Sequence, residues 1–230
     1  SPSETGQCTW QGSASCDGIA TDVRADFEKT SYRIIRGVLR PDQVQRARDV
    51  LLQSFAVPDD DEMRASRVFG LLERDPVFAE ALEAAPADVE EQLNEILGPW
   101  QVGSYHALVV QPQDRPLNES ELARLRVKNL HTDYPFGSHA SELHGQASFA
   151  MNRRYPSTIQ ILYMLDDFTE SSGATLIWPG SHSVGATPDR GNPEDLQRFA
   201  ANSRALEGQA GDIIVYLGQA WHTYSVNIGS

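Results

Sequence analysis

Helix-spaced apolar residues stop at Gly98-Pro99, and from Trp100 onward the chain consists of short β-rich runs cut by Gly, Pro, Asp and Ser. Residues 105–111, 146–151, 157–165, 174–178, 212–217 and 222–228 are such runs. Each has strand length and the branched or aromatic side chains that suit a pleated surface. Before the break, Val44, Ala47, Leu51 and Phe55 share one helical face, and a second block repeats the spacing through Val77, Phe78, Ala81 and Leu82, then Val89, Leu93, Ile96 and Leu97. Pro41-Asp42 opens the first helix, with Asp42 as its expected N-cap, and Pro86 divides the second block. Helices first and many short strands afterwards predict an α+β chain. Its all-β jelly-roll core should cover roughly residues 100–230, backed by a helical layer over roughly residues 41–98.

Residues 1–22 are small and polar without periodicity and are expected to form a flexible leader to one domain over residues 23–230. Hydrophobic residues make up 40% of the 230, enough for a real core. The formal charge of −13 argues against a nucleic-acid or anionic-membrane partner, because phosphates are held by clusters of Lys and Arg. No apolar run approaches the roughly 18 residues of a membrane span, and no signal-peptide h-region is visible, so a cytoplasmic protein is expected. Cys8 and Cys16 make neither a disulfide framework nor a zinc site, and free thiols are the expectation. Oligomeric state is not encoded in any pattern here.

Five of the six histidines fall between His131 and His222, ends included; the sixth is His106. His131-Thr132-Asp133 follows residues 126–130, which have a β-like pattern, and alternation would put His131 and Asp133 on one strand face. A neutral imidazole beside an anionic carboxylate is two thirds of the two-His-one-carboxylate set that holds Fe(II) with positions left open for substrate and O2. His222, just after the run 211–217, and His182, after Pro179-Gly180-Ser181, are both placed to be the third ligand. Spacing does not choose between them. Two longer polar stretches, 112–126 and 185–202, interrupt the β pattern and suggest loops over a binding site.

Four ordered stretches resemble the phytanoyl-CoA dioxygenase family of Fe(II)/2-oxoglutarate oxygenases. They are residues 27–39, His131-Thr132-Asp133, residues 163–182 closing on Trp178-Pro179-Gly180-Ser181-His182, and Gly211-Asp212-Ile213-Ile214 leading to Trp221-His222. The resemblance implies a double-stranded β-helix and makes His131, Asp133 and His222 the iron ligands, with His182 shaping the rim. It implies 2-oxoglutarate and O2 as co-substrates and hydroxylation of a small molecule as the default outcome. Asp133, where halogenating relatives carry a small residue, implies no halogenation. A distal Arg is implied about ten residues after the second His; the sequence at hand has no Arg after His222.

Strand alternation nominates neighbours of that centre. Thr158, Gln160, Leu162 and Met164 share one face, opposite Ile159, Ile161 and Tyr163. Gln160, Leu162 and Thr175, together with Tyr224 on the face of His222 and Lys128 three residues before His131, are expected to border the co-substrate. Tyr134 and Phe136 are expected substrate-wall aromatics. The same three ligands also suit a cupin-like metalloenzyme that does not use 2-oxoglutarate, and the fold alone suits a binding module without turnover. A Lys-poor, Arg-rich composition hints at a GC-rich genome and a natural-product substrate.

Overall fold

A computed structural model describes residues 27–54, 62–133, 156 and 158–229. Its strands are β1 (Tyr32–Ile35), β2 (Ala65–Val68), β3 (Ala107–Val110), β4 (Ile159–Tyr163), β5 (Thr175–Ile177), β6 (Arg204–Ala205), β7 (Ile213–Leu217) and β8 (His222–Tyr224). The helices are α1 (Pro41–Leu52), α2 (Leu71–Arg74), α3 (Val77–Glu83), α4 (Ala87–Leu97), α5 (Glu119–Lys128) and α6 (Pro193–Asn202), with a 3-10 turn at Ser181–Ser183. The strands pair antiparallel in three sheets, ordered β1-β7-β4, β2-β3 and β6-β5-β8. No helix among the described residues is long and apolar enough to cross a membrane.

β7 shows how the layers stack. Ile213, Val215 and Leu217 leave one face and pack with Val89 and Leu93 of α4, joined by Ile159, Ile161 and Tyr163 of β4. Ile214 and Tyr216 leave the other face and pack with Ile177 of β5, joined by Leu162 and Met164. A strand buried on both faces needs continuous apolar sequence, and Ile213-Ile214-Val215-Tyr216-Leu217 supplies it. Helix, sheet and second sheet therefore form successive layers, with the split of β4 following the alternation expected of it.

Asp212 anchors the start of β7. Its carboxylate accepts hydrogen bonds from the backbone N–H groups of Gly37 (2.8 Å) and Gln209 (2.8 Å) and from Arg36 Nη1 (2.6 Å). Burial opposes its charge, but these donors hold its carboxyl below the ordinary range.

Four expectations change. The first helix is capped at Arg40, not Asp42: Pro41 takes the first helical position, where a missing N–H costs nothing, and the Gln43 side chain accepts the Arg40 N–H. The stretch 41–98 is not purely helical, because Ala65–Val68 pairs with β3. Residues 126–128 are the end of α5 and not a strand. Asn118 and Glu121 form a reciprocal capping box, acidic residues fill the first turn and Arg126 and Lys128 the last, so local signals carry the helix through a β-like pattern. His131 and Asp133 consequently do not alternate along one strand. Phe55, Tyr134, Phe136, residues 146–151 and both cysteines lie outside the described residues.

Candidate metal centre

Backbone pairing, and not a continuous strand, sets the geometry around His131 and Asp133. His131 and His222 exchange both backbone hydrogen bonds at 3.0 Å in an isolated antiparallel bridge. Two residues on, the Asp133 N–H donates to the Gly218 carbonyl at 2.7 Å, on the turn between β7 and β8. The short segment leaving α5 is thus stitched to the β7–β8 connection at two points, and three side chains converge. His131 Nε2 lies 3.4 Å from Asp133 Oδ1, and His222 Nε2 lies 3.4 Å from Asp133 Oδ2. One ligand atom from each residue falls within 4.8 Å of the others.

Both imidazoles are fixed in the tautomer a metal needs. Nδ1–H of His131 donates to the Asn129 carbonyl at 2.6 Å, and Nδ1–H of His222 donates to the Ala220 carbonyl at 2.8 Å. With both rings neutral, each then turns an unprotonated Nε2 toward the carboxylate. In that state three electron-pair donors face one another and repel, and buried Asp133 Oδ2 has no hydrogen-bond partner. That donor set fits a divalent cation of the first transition row. The His222 side chain is 5% exposed and Asp133 21%, whereas His131 is 40% exposed, so the centre opens on the His131 side. Tyr216 closes the back, its ring 4.9 Å from that of His222.

Charge is shared across the trio. Burial opposes ionisation of Asp133, but the His222 charge and the imidazole contacts outweigh it and hold the carboxyl far below its usual range. Burial equally opposes protonation of His222, yet the Asp133 charge, the contact with it and the Ala220 carbonyl together raise its pKa. A proton on His222 therefore competes with a metal. The sign follows: a raised folded-state pKa stabilises below the unfolded imidazole value of about 6.5 and is lost as pH rises through the folded value. Metal binding displaces that proton and gains with rising pH. The gap in melting temperature between protein with added Mn(II) and protein in chelator should therefore widen from about pH 6 to about pH 8. Thermal melts across that range check it, and a gap that shrinks with pH would remove His222 from the ligand set.

Other nominated residues sort by face. Gln160 and Leu162 sit opposite Tyr216 and Ile214 in the β4–β7 ladder, on the face that meets Ile177. Thr175 pairs with Tyr224, and Ile177 with His222, in the β5–β8 ladder. Tyr224 Oη accepts from Asn129 Nδ2 at 2.8 Å, and Asn129 in turn holds His131. Lys128 is placed otherwise: its Nζ is 2.9 Å from Glu62 Oε2. His182 stands outside the trio, in a turn where Gly180 adopts φ 75° and a Cβ would lie 2.9 Å from the Lys29 carbonyl. That turn supports the neighbour of His222, because Ser181 Oγ accepts the Trp221 N–H at 2.7 Å.

Gly218 had no signal in the sequence, and Thr158 had only its place on the face of Gln160. A Cβ on Gly218 would lie 3.0 Å from Asp133 Cβ and collide with Thr158 Oγ1. Only glycine lets the β7–β8 turn approach the carboxylate this closely.

Antiparallel sheets backed by helices, with two histidines and one carboxylate gathered between them, define a class of metal-binding protein. A model of the family described as Phytanoyl-CoA dioxygenase (PhyH) matches residues 27–228, and the chain belongs to that family. Uncharacterized proteins of Mycobacterium bovis and Mycobacterium tuberculosis are each 32% identical over 73 residues, which is 32% of this chain and 24% of theirs. The chain thus spans about a quarter of the length of the curated relatives it matches. The fold is similar to that of SnoN, a non-heme alpha-ketoglutarate-dependent epimerase from nogalamycin biosynthesis, at TM-score 0.55 and 16% identity over 93% of this chain and 78% of SnoN. It is also similar to HygX from Streptomyces hygroscopicus, solved with nickel and 2-oxoglutarate bound, at TM-score 0.60 and 17% identity over 91% of this chain and 81% of HygX. A further HygX structure holds hygromycin B as well.

Proposed function

We propose that this chain is a non-haem Fe(II)- and 2-oxoglutarate-dependent oxygenase that hydroxylates a small-molecule substrate, with its strands arranged as a double-stranded β-helix. The observation that carries the reading is the convergence of His131, Asp133 and His222, whose Nε2 and carboxylate atoms face one another with no donor among them. Family membership supports the same chemistry, and fold neighbours whose names mention 2-oxoglutarate agree with it.

When bound, Fe(II) with 2-oxoglutarate and O2 supplies the oxidising power that no side chain provides. The protein's own part is to hold and exclude. His131, Asp133 and His222 would hold the metal, a ligand set that leaves positions for co-substrate and O2. The Asn129 and Ala220 carbonyls keep both rings in the ligating tautomer, while Tyr216 and the apolar inner faces of β4, β5 and β7 keep water from the rear. Gln160, Leu162, Thr175 and Tyr224, on or beside those inner faces, are the residues we assign to the co-substrate; Lys128 joins them only by exchanging Glu62 for its carboxylate. Tyr134 and Phe136, which follow Asp133 in sequence, are assigned to the substrate wall. A natural-product intermediate is the substrate class suggested by the place of SnoN in nogalamycin biosynthesis. The cytoplasm, which supplies reduced iron and 2-oxoglutarate, is the setting this implies.

The test is an anaerobic titration of metal-free protein with Fe(II), then 2-oxoglutarate, followed in visible absorbance. A weak charge-transfer band that saturates with 2-oxoglutarate is expected. Iron binding without the band would favour the cupin-like alternative, and no iron binding would leave a jelly-roll binding module.

A further inference from the structure

One face of the β2–β3 ribbon begins against the centre's own neighbours and then opens to solvent with an unusual set of side chains. In the ladder Ala65 faces Val110 and Arg67 faces Leu108. The alternate pair, Val68 and Ala107, points the other way and packs with Ala47, Leu51, Leu71 and Phe78. Ala65 and Val110 pack with Tyr224, two residues from His222 on the same side of β8. Continuing along that face come Arg67 and Leu108, then Phe69 and His106, whose rings lie 5.2 Å apart and 35° from parallel. Phe69 is 58% and Leu108 39% exposed, although both belong to a ribbon whose reverse is core. Large apolar groups left out beside a charged one are the informative kind of exposure.

The packing of Ala65 and Val110 on Tyr224 places this row on the side of the centre. Among the described residues, Arg67 and Asp133 are the charges that act on His106. Burial and Arg67 together lower its pKa against the opposing pull of Asp133, so His106 presents a neutral ring near pH 7. Ser104 Oγ lies 3.1 Å from its Nδ1 and steadies it.

We propose that this face is the substrate platform of the centre, taking a planar ring on Phe69, His106 and Leu108 and an anionic substituent at Arg67. The proposal rests on the metal-centre reading for its function, but its geometry is separate from the three ligands.

The probe for the test is 2-naphthoate, titrated by ligand-observed NMR into metal-free protein and into protein carrying Mn(II). Phe69→Ala should weaken binding about fivefold, the scale of one aromatic contact. Arg67→Gln should weaken 2-naphthoate by a similar factor and leave 2-naphthylmethanol unchanged. Trp100→Ala, removing an exposed aromatic beside α4, should change neither. Bound Mn(II) should broaden the probe resonances, and Asp133→Ala should abolish the broadening while the probe still binds. Probe binding that is absent from the wild type, indifferent to Phe69→Ala and Arg67→Gln, or unbroadened while Mn(II) is held, overturns the platform. So would a Phe69→Ala effect on sedimentation alone, which would make the face a contact between copies. Failure of Mn(II) to bind instead overturns the metal reading, and the metal-free titrations still decide the platform.

Discussion

An Asp133→Ala protein is expected to fold and to have lost its metal. The carboxylate is the only anion of the trio and lies 3.4 Å from both Nε2 atoms, so its removal leaves two neutral imidazoles and an open third position. Loss of a partner that merely orients a ligand costs about 10–100-fold in metal affinity, and loss of the ligand itself should cost more. Anaerobic titration should therefore show no saturable Fe(II) binding over the range that saturates the wild type in the same experiment, and no band on adding 2-oxoglutarate. Turnover should vanish with it. Folding should survive, because the backbone bonds at this point are made by the Asp133 N–H and the Gly218 carbonyl, which alanine keeps. Wild-type iron binding by this variant would sink the ligand assignment.

Gly218→Ala is expected to be nearly as damaging without touching a ligand. The new methyl must displace Thr158 Oγ1, press on Asp133 Cβ at 3.0 Å, or push the β7–β8 turn away from the segment it is bonded to. Overpacking of this kind costs about 1–3 kcal/mol, readable in chemical denaturation. Any shift of the turn also moves the Gly218 carbonyl that positions Asp133, so metal affinity should fall about 10–100-fold, as for a lost outer-sphere partner. Adding Thr158→Ala should restore most of the stability and only part of the affinity, because the Asp133 contact remains. Full affinity and stability in Gly218→Ala alone would mean that the turn relaxes freely and does not position the carboxylate.

The legible parts of the sequence were those whose signals are local. The proline-started first helix, the apolar run of β7 and the alternation of β4 all follow from neighbours along the chain. The strand β2 was not legible. Its four residues include an arginine, and its partner β3 lies about forty positions away, so nothing near it announces a ladder. With it went Arg67, Phe69 and His106. The Asn118 to Glu121 capping box was equally readable but was outweighed by the β-like look of residues 126–130 just before His131. Among histidines, spacing left His182 and His222 equal. The family resemblance chose His222, and the backbone bridge from His131 lands on that residue.

That bridge, with the second tie from Asp133 to Gly218, has a consequence for which ion the centre holds. The main-chain bonds that join the two ligand-bearing segments use none of the ligating atoms, so a metal can bind without breaking them. Such a centre discriminates by size and coordination number, and most divalent ions of the first transition row meet both. Their intrinsic order of affinity runs against Fe(II) and in favour of nickel and copper. Which ion the protein carries is then decided by the supply around it, and loading is a property of the cell as much as of the chain.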